Sequence, residues 1–156
     1  MPSGSQHRKT ERIAAILAGG KSARMGVDKA SVVFEGERLI DRAARLLRPQ
    51  GDLLLISGPS AYGLDIECVP DAADVPAGPA AGILSVARRL AGKTSAAGFF
   101  TAPVDGPFVP DDLVARLSGA GGCAVAADDE SLHPTFAFWT IAALQAVAAE
   151  FVKGPA

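Results

Sequence analysis

Short apolar runs and helical apolar stripes alternate along most of this chain. Apolar runs of strand length predict buried strands, whereas apolar positions three and four residues apart predict amphipathic helices. Residues 39–47, for example, are apolar at 39, 40, 43, 44, 46 and 47, which together form one face of a helix. The predicted strands are 13–17, 31–34, 52–57, 65–70, 98–102, 123–127 and 135–139, and the predicted helices are 39–47, 80–91, 110–119 and 141–152.

The order of these elements predicts an α/β fold. Strands that alternate with helices form a mostly parallel sheet with both faces covered, joined by right-handed connections. We therefore expect a single-domain, Rossmann-like, three-layer α/β/α sandwich. Residues 1–10 are polar and are predicted to be a disordered tail, which leaves residues 11–156 for the domain, without an internal repeat.

Three loops of unusual composition follow predicted strands. They are residues 18–29 after the first strand, 70–82 after the fourth and 103–107 after the fifth. In parallel sheets, ligands bind at the carboxyl ends of the strands. The three loops are therefore predicted to converge on one binding site.

Composition and charge narrow the range of partners. The 156 residues are 49% hydrophobic and 21% charged, and the formal net charge is −2. This charge provides no general attraction for nucleic acid or an anionic membrane, so a bound anion must be held by local geometry.

The apolar runs are too short to cross a membrane, and no signal peptide is recognisable, so we expect a cytoplasmic protein. The two cysteines lie in apolar runs without metal-ligand spacing, and we expect buried thiols.

The loop after the first strand combines two glycines with three cations. Gly19 and Gly20 allow the backbone to approach a ligand closely, and amides in such a turn can form a nest for an anion. Lys21, Arg24 and Lys29 could hold phosphates. The loop matches neither the Walker A motif nor the dinucleotide-binding Gly-x-Gly-x-x-Gly pattern. For a bare Gly-Gly turn, an ordinary strand-to-helix connection with solvated cations is the favoured interpretation.

The complete string over residues 17–29 is much more specific. It resembles the signature Leu-Ala-Gly-Gly-x-Ser-x-Arg-Met-Gly-x-Asp-Lys of the molybdenum cofactor guanylyltransferase (MobA) family. Further matching segments extend the resemblance, in family order, over roughly residues 12–150; they are 69–71, 78–83, 103–108 and 133–137.

This resemblance implies an activity. Members of the family transfer GMP from GTP to the molybdopterin form of the molybdenum cofactor, release pyrophosphate and require Mg²⁺. The attacking phosphate is already an anion, so no strong general base is required. The implied partners are GTP, the molybdopterin cofactor and, beyond these, molybdoenzymes or proteins that deliver the cofactor.

The resemblance also implies roles for individual residues. Lys29, assisted by Arg24, would contact the phosphates, and Asp105 would bind the metal; these three form the implied catalytic group. Mg²⁺ commonly takes only one or two carboxylates together with phosphate oxygens, so a single aspartate is adequate. On residue type alone, Asp105 could equally be a turn former before Pro107. The implied nucleotide-binding residues are Leu17, Ala18, Gly19, Gly20, Lys29, Ser57 (an asparagine in some relatives), Asp71 and Gly82 (both near the guanine and ribose) and Asp105.

Two alternative functions stay open. A cytidylyltransferase or a sugar-phosphate nucleotidyltransferase could use the same loop, although the related cytidylyltransferases carry Leu-Ala-Ala-Gly where this chain has Leu-Ala-Gly-Gly. Family members also continue well past the equivalent of residue 156, with an Asn-x-Asn-Thr-Pro segment on the cofactor side. A shortened, non-catalytic nucleotide-binding protein is therefore the second alternative. An uncovered sheet edge would favour a homo-oligomer.

Overall fold

The computed structural model describes residues 10–19, 28–75 and 77–153, with side chains to residue 150. A six-stranded sheet lies between two layers of helices, and a two-stranded ribbon precedes the first helix. The strands are β1 (Ile13–Leu17), β2 (Val33–Phe34), β3 (Glu37–Arg38), β4 (Leu53–Ser57), β5 (Glu67–Val69), β6 (Gly98–Pro103), β7 (Ala124–Ala127) and β8 (Leu132–Thr140). The helices are α1 (Leu39–Leu47), α2 (Pro79–Leu90), α3 (Leu113–Ser118) and α4 (Ile141–Lys153), with 3-10 turns at Lys29–Ser31 and Arg48–Gln50.

The six-stranded sheet is mostly parallel, which confirms the predicted fold class. Its strand order is β5-β4-β1-β6-β8-β7, and the first four of these strands run parallel to one another. Strand β8 is antiparallel to both of its neighbours. Its first residues therefore lie at the edge of the sheet where the parallel strands have their carboxyl ends.

Strand β1 is buried on both faces because it lies near the centre of the sheet. Ala14 and Ile16 pack into the core on the side of α1 and α3. Ile13, Ala15 and Leu17 pack into the core on the side of α2 and α4. A continuous apolar run is the pattern expected of a strand covered by helices on both faces.

The boundaries of the predicted helices agree with the structure to within one residue, except for the start of α3. Helix α1 covers residues 39–47 as predicted, and five of its six apolar positions are buried. Helix α3 begins at Leu113 rather than at Pro110, because residues 110–112 form a turn before it. The Gln50 amide donates to the Pro110 carbonyl and accepts from the Val114 amide, which fixes the start of the helix. Within the described ranges, no helix combines the length and the apolar character needed to cross a membrane.

The prediction of two buried thiols is wrong. Cys123 is exposed, and Cys68 is only partly buried. Both cysteines belong to the borders of the sheet, where one side of a strand has no neighbour: Cys68 lies on β5 and Cys123 immediately precedes β7. The Cys68 thiol donates a hydrogen bond to the Gly58 carbonyl, and desolvation raises its pKa.

Candidate active site

A cleft of about 660 Å³ opens at the carboxyl edge of the parallel strands. Its walls come from all three of the loops predicted to converge, through residues 17–19 and 29, 77–79 and 103–105. Thr135, near the start of β8, completes the lining. The volume lies in the range typical of small-molecule sites.

Lys29 and Asp105 meet in this cleft. The Lys29 ammonium nitrogen lies 2.9 Å from Oδ2 of Asp105, and the two side chains are 52% and 48% exposed. An ion pair this exposed contributes little to stability. Both groups are accessible to a ligand, so phosphate oxygens could take the place of the carboxylate and a cation could take the place of the ammonium.

The 3-10 turn Lys29–Ser31 positions Lys29. Asp28 precedes this turn, and its carboxylate accepts hydrogen bonds from the Ala30 amide and the Tyr62 hydroxyl. Ala30 is fully buried beneath the turn. Burial, followed by the nearby carboxylate of Asp28, raises the pKa of Tyr62 to about 12, so its hydroxyl remains a donor.

Asp105 lies at the tip of a tight turn that follows β6. The Val104 amide donates to the Leu17 carbonyl, and the Gly106 amide donates to the Pro103 carbonyl. A Cβ at position 106 would lie 2.7 Å from Cζ of Phe136, so a larger residue there would have to displace this ring. The turn is therefore held close to the end of β1.

Two amides at the start of the first loop, those of Ala18 and Gly19, are already occupied and cannot contribute to the anion nest that the sequence suggested. The amides of Ala18 and Gly19 both donate to the Ser57 carbonyl, at 2.8 and 3.1 Å. They continue the hydrogen bonding between β1 and β4, so they are not available to an anion. Gly20 and Arg24 lie outside the described residues.

A second group of predicted residues lies behind Gly19. A Cβ built on Gly19 would lie 3.8 Å from both carboxylate oxygens of Asp71, and one built on Gly82 would lie 3.6 Å from Oδ1 of Asp71. Desolvation raises the pKa of Asp71. Ser57 is buried, and its hydroxyl lies next to Gly82. The structure thus brings Gly19, Ser57, Asp71 and Gly82 together. Of these four, Gly19 lines the cleft with Lys29 and Asp105.

Ser85 fixes the loop that carries Asp71. Its buried hydroxyl accepts from the Ala72 amide at 2.9 Å and donates to the Ala81 carbonyl at 2.7 Å. The loop is therefore tied to the first turns of α2, next to Gly82.

Comparison with known proteins decides the family. The family model of the MobA-like NTP transferase domain matches residues 14–153. This chain belongs to the MobA-like NTP transferase family. It is therefore a nucleotidyltransferase domain.

Individual relatives and solved structures are consistent with this membership. A molybdenum cofactor guanylyltransferase of Cereibacter sphaeroides is 40% identical over 148 residues, which cover 90% of this chain and 75% of the relative. The molybdopterin-guanine dinucleotide biosynthesis protein A of Archaeoglobus fulgidus shares the fold, with a TM-score of 0.69 at 20% identity over 91% of this chain and 74% of that one. A Mycobacterium tuberculosis protein crystallised with manganese also shares it, with a TM-score of 0.63 at 16% identity over 89% and 76%.

Several lining residues of this MobA-like cleft were not among the predicted site residues. Thr135 was recognised only as part of a matching segment. Its position in the cleft follows from the antiparallel direction of β8, which the apolar pattern of a single strand does not reveal. The segment 77–79 likewise lines the cleft, although only Gly82 was singled out in that region.

Helix α2 lies close to β4 at Gly82, and substitutions can test how much this contact contributes to the stability of the MobA-like domain. A Cβ on Gly82 would overlap the Ser57 hydroxyl, so Gly82→Ala should reduce the free energy of unfolding by about 1 to 2 kcal/mol. In a Ser57→Ala background the cost should vanish, because alanine then favours the helix by up to about 1 kcal/mol.

Urea unfolding of the four proteins measures this coupling. An equal cost of Gly82→Ala in both backgrounds would show that the Ser57 hydroxyl does not limit the approach of α2.

Proposed function

We propose that this chain is a molybdenum cofactor guanylyltransferase, which transfers GMP from GTP to a molybdopterin cofactor and releases pyrophosphate. The observation that carries the proposal is the pairing of Lys29 with Asp105, 2.9 Å apart in the cleft at the carboxyl edge of the sheet. The name of the Cereibacter relative supports the choice of reaction.

In the proposed reaction, a phosphate oxygen of the molybdopterin cofactor attacks the α-phosphorus of GTP. A new phosphorus–oxygen bond forms, the bond from the α-phosphorus to the bridging oxygen breaks, and pyrophosphate leaves with the electron pair. The Lys29 ammonium would stabilise the negative charge on the phosphates, and so would Arg24. No described side chain needs to act as a general base.

The proposed site for Mg²⁺ is Asp105. Among the residues that the structure describes, no group of three or more acidic, histidine or cysteine side chains could hold a metal ion. A single half-exposed carboxylate fits Mg²⁺ nevertheless, because this ion keeps several waters and takes its other ligands from substrate phosphates. When bound, it would supply positive charge beside the reacting phosphate oxygens.

Asp71 is the proposed recognition group for the guanine base. A carboxylate is an acceptor, and guanine offers two adjacent donors on its Watson–Crick edge, whereas cytosine offers one donor beside an acceptor. Gly19 leaves the space in front of Asp71 free of a side chain. The role proposed for Gly20, beside the nucleotide, rests on the family resemblance.

Calorimetric titration of GTP, CTP, UTP and ATP with Mg²⁺ tests the choice of base. GTP should bind most tightly. Gly19→Ala should weaken GTP binding about tenfold and change CTP binding much less, because its Cβ would lie between Asp71 and the base. The substitution should not disturb folding, since the added Cβ would make only ordinary contacts at 3.6 Å and beyond. Tightest binding of CTP to the wild-type protein would contradict the guanine assignment.

Pyrophosphate release tests the transfer step itself. Release should require both GTP and the molybdenum cofactor. Tight GTP binding without any release in the presence of both would instead favour a nucleotide-binding protein that performs no transfer.

A further inference from the structure

Arg42, on α1, lies outside the cleft but contacts the turn that carries Asp105. Its Nε donates a hydrogen bond to the Pro107 carbonyl at 2.8 Å. Its Nη1 lies 3.2 Å from the Glu35 carboxylate, and the side chain is only 16% exposed. A largely buried guanidinium is thus attached to the chain two residues beyond Asp105.

The same guanidinium also contacts two aromatic rings. Its carbon lies 5.2 Å from the ring centroid of Phe34 and 5.8 Å from that of Phe108. The two rings meet edge to face, with their centroids 5.8 Å apart. Phe34 lies on β2, just after the 3-10 turn that carries Lys29, and Phe108 lies three residues after Asp105. Arg42 therefore lies where the segments of both site residues meet.

On either side of this segment, Val104 and Val109 are buried in the core beside α1, whereas residues 107 and 108 between them have weaker attachments. Phe108 is 72% exposed, so burial of its ring provides little attachment. Pro107 has no amide proton, so its carbonyl is its only main-chain hydrogen-bonding group. Gln50 holds the chain at Pro110, but this contact serves the start of α3.

We propose that Arg42 is a positioning residue that fixes the direction of the Asp105 carboxylate toward a bound divalent ion and toward Lys29; this inference rests on the metal role of Asp105 in the proposed function. A guanidinium can donate to a carbonyl, pair with a carboxylate and lie against rings at the same time. A lysine at position 42 would keep the charge but lose this planar geometry.

Helix α1 offers a matched control one turn further along. Arg45 binds Glu37 through two hydrogen bonds, at 3.0 and 2.8 Å, and is 57% exposed. Its substitution removes an arginine from the same helix without altering the contact with Pro107.

The first experiment measures Mn²⁺ binding by electron paramagnetic resonance in the presence of GTP. Residues that orient a metal ligand typically change metal affinity by about tenfold or more. We expect Arg42→Ala to weaken Mn²⁺ binding about tenfold, Arg42→Lys to recover only part of this loss and Arg45→Ala to leave the affinity within about twofold. GTP affinity in EDTA should change less than Mn²⁺ affinity, a split that a general loss of stability would not produce. Equal Mn²⁺ affinities in Arg42→Ala and Arg45→Ala would overturn the proposal.

The second experiment measures hydrogen exchange of the amides between residues 104 and 109 without ligand. Exchange should be faster in Arg42→Ala and Arg42→Lys than in Arg45→Ala or the wild type. If Arg42→Ala does not fold, Arg42→Lys is compared with Arg45→Ala in both experiments. If the wild type binds neither GTP nor Mn²⁺, the proposed function fails. Unchanged hydrogen exchange in the Arg42 variants would separately refute the proposal that Arg42 holds the turn in place.

Discussion

Replacing Asp105 by asparagine is expected to reduce GMP transfer roughly a thousandfold. The amide keeps the size of the side chain and can still accept a hydrogen bond from Lys29, but it lacks the charge that a hard divalent ion requires. Binding of Mn²⁺ in the presence of GTP should weaken in parallel. Pyrophosphate release and Mn²⁺ titration on the same preparations measure the two effects.

The fold of this variant should be unaffected. The Lys29–Asp105 pair is about half exposed, and its loss should change the free energy of unfolding by less than about 1 kcal/mol. Asp111→Asn provides the matched control, because Asp111 is an exposed acid six positions further along the same segment. Transfer at the wild-type rate by Asp105→Asn would show that the metal is held elsewhere.

Gly98→Ala is expected to cause the largest loss of stability, about 3 kcal/mol or more. Gly98 begins β6, and a Cβ there would overlap the Trp139 carbonyl oxygen and lie 2.8 Å from both the Trp139 carbonyl carbon and Cζ of Phe138. The carbonyl belongs to the backbone of β8, which pairs with β6 from Gly98 to Thr101 and cannot withdraw without breaking that pairing. For a domain of this size, the midpoint of thermal unfolding should fall by roughly 10 °C.

Gly122→Ala is the control for this experiment. Nothing lies within 4 Å of a Cβ built on Gly122, and its φ is not in the left-handed region, so alanine should be tolerated there. Thermal unfolding followed by circular dichroism compares the two variants. Similar midpoints for both would mean that the β6–β8 pairing is looser at Gly98 than the structure indicates.

The central part of the fold could be predicted from the sequence because its pattern is strong. The five-residue apolar run of β1 and the apolar face of α1 each leave one consistent interpretation, and both agree with the structure. The convergence of three loops also followed from topology alone, since the carboxyl ends of parallel strands share an edge. Lys29 and Asp105, 76 positions apart, meet for this reason.

Other features depend on partners that the local pattern does not contain. The direction of β8 is set by its pairing with β6 and β7, and the same alternation would suit a parallel strand. The exposure of Cys123 depends on its place beside an edge strand. Arg42 lies on the polar side of an amphipathic helix, where an arginine is ordinary. Only its surroundings in the fold, the Pro107 carbonyl and the rings of Phe34 and Phe108, distinguish it from Arg45.

The sequence also did not show whether the amides of Ala18 and Gly19 are free to bind an anion. The Gly-Gly pair suggested free amides, but the sequence does not show that the Ser57 carbonyl is positioned to accept from Ala18 and Gly19. That acceptor comes from β4, 39 positions after Ala18 along the chain, and its reach past the end of β1 is a property of strand register.

The antiparallel course of β8 restricts which changes in chain length this domain can tolerate. Neighbouring residues of a strand face opposite sides, so Thr135 lines the cleft while Phe136 packs into the core against Gly106. The connection from β7 to β8, residues 128–131, determines how the first residues of β8 pair with the end of β7. Insertion or deletion of a single residue there would exchange the two faces, placing a phenyl ring in the cleft and a hydroxyl in the core. Natural variation at this connection should therefore occur in steps of two residues, or be absorbed at the irregularity between Val125 and Ala126.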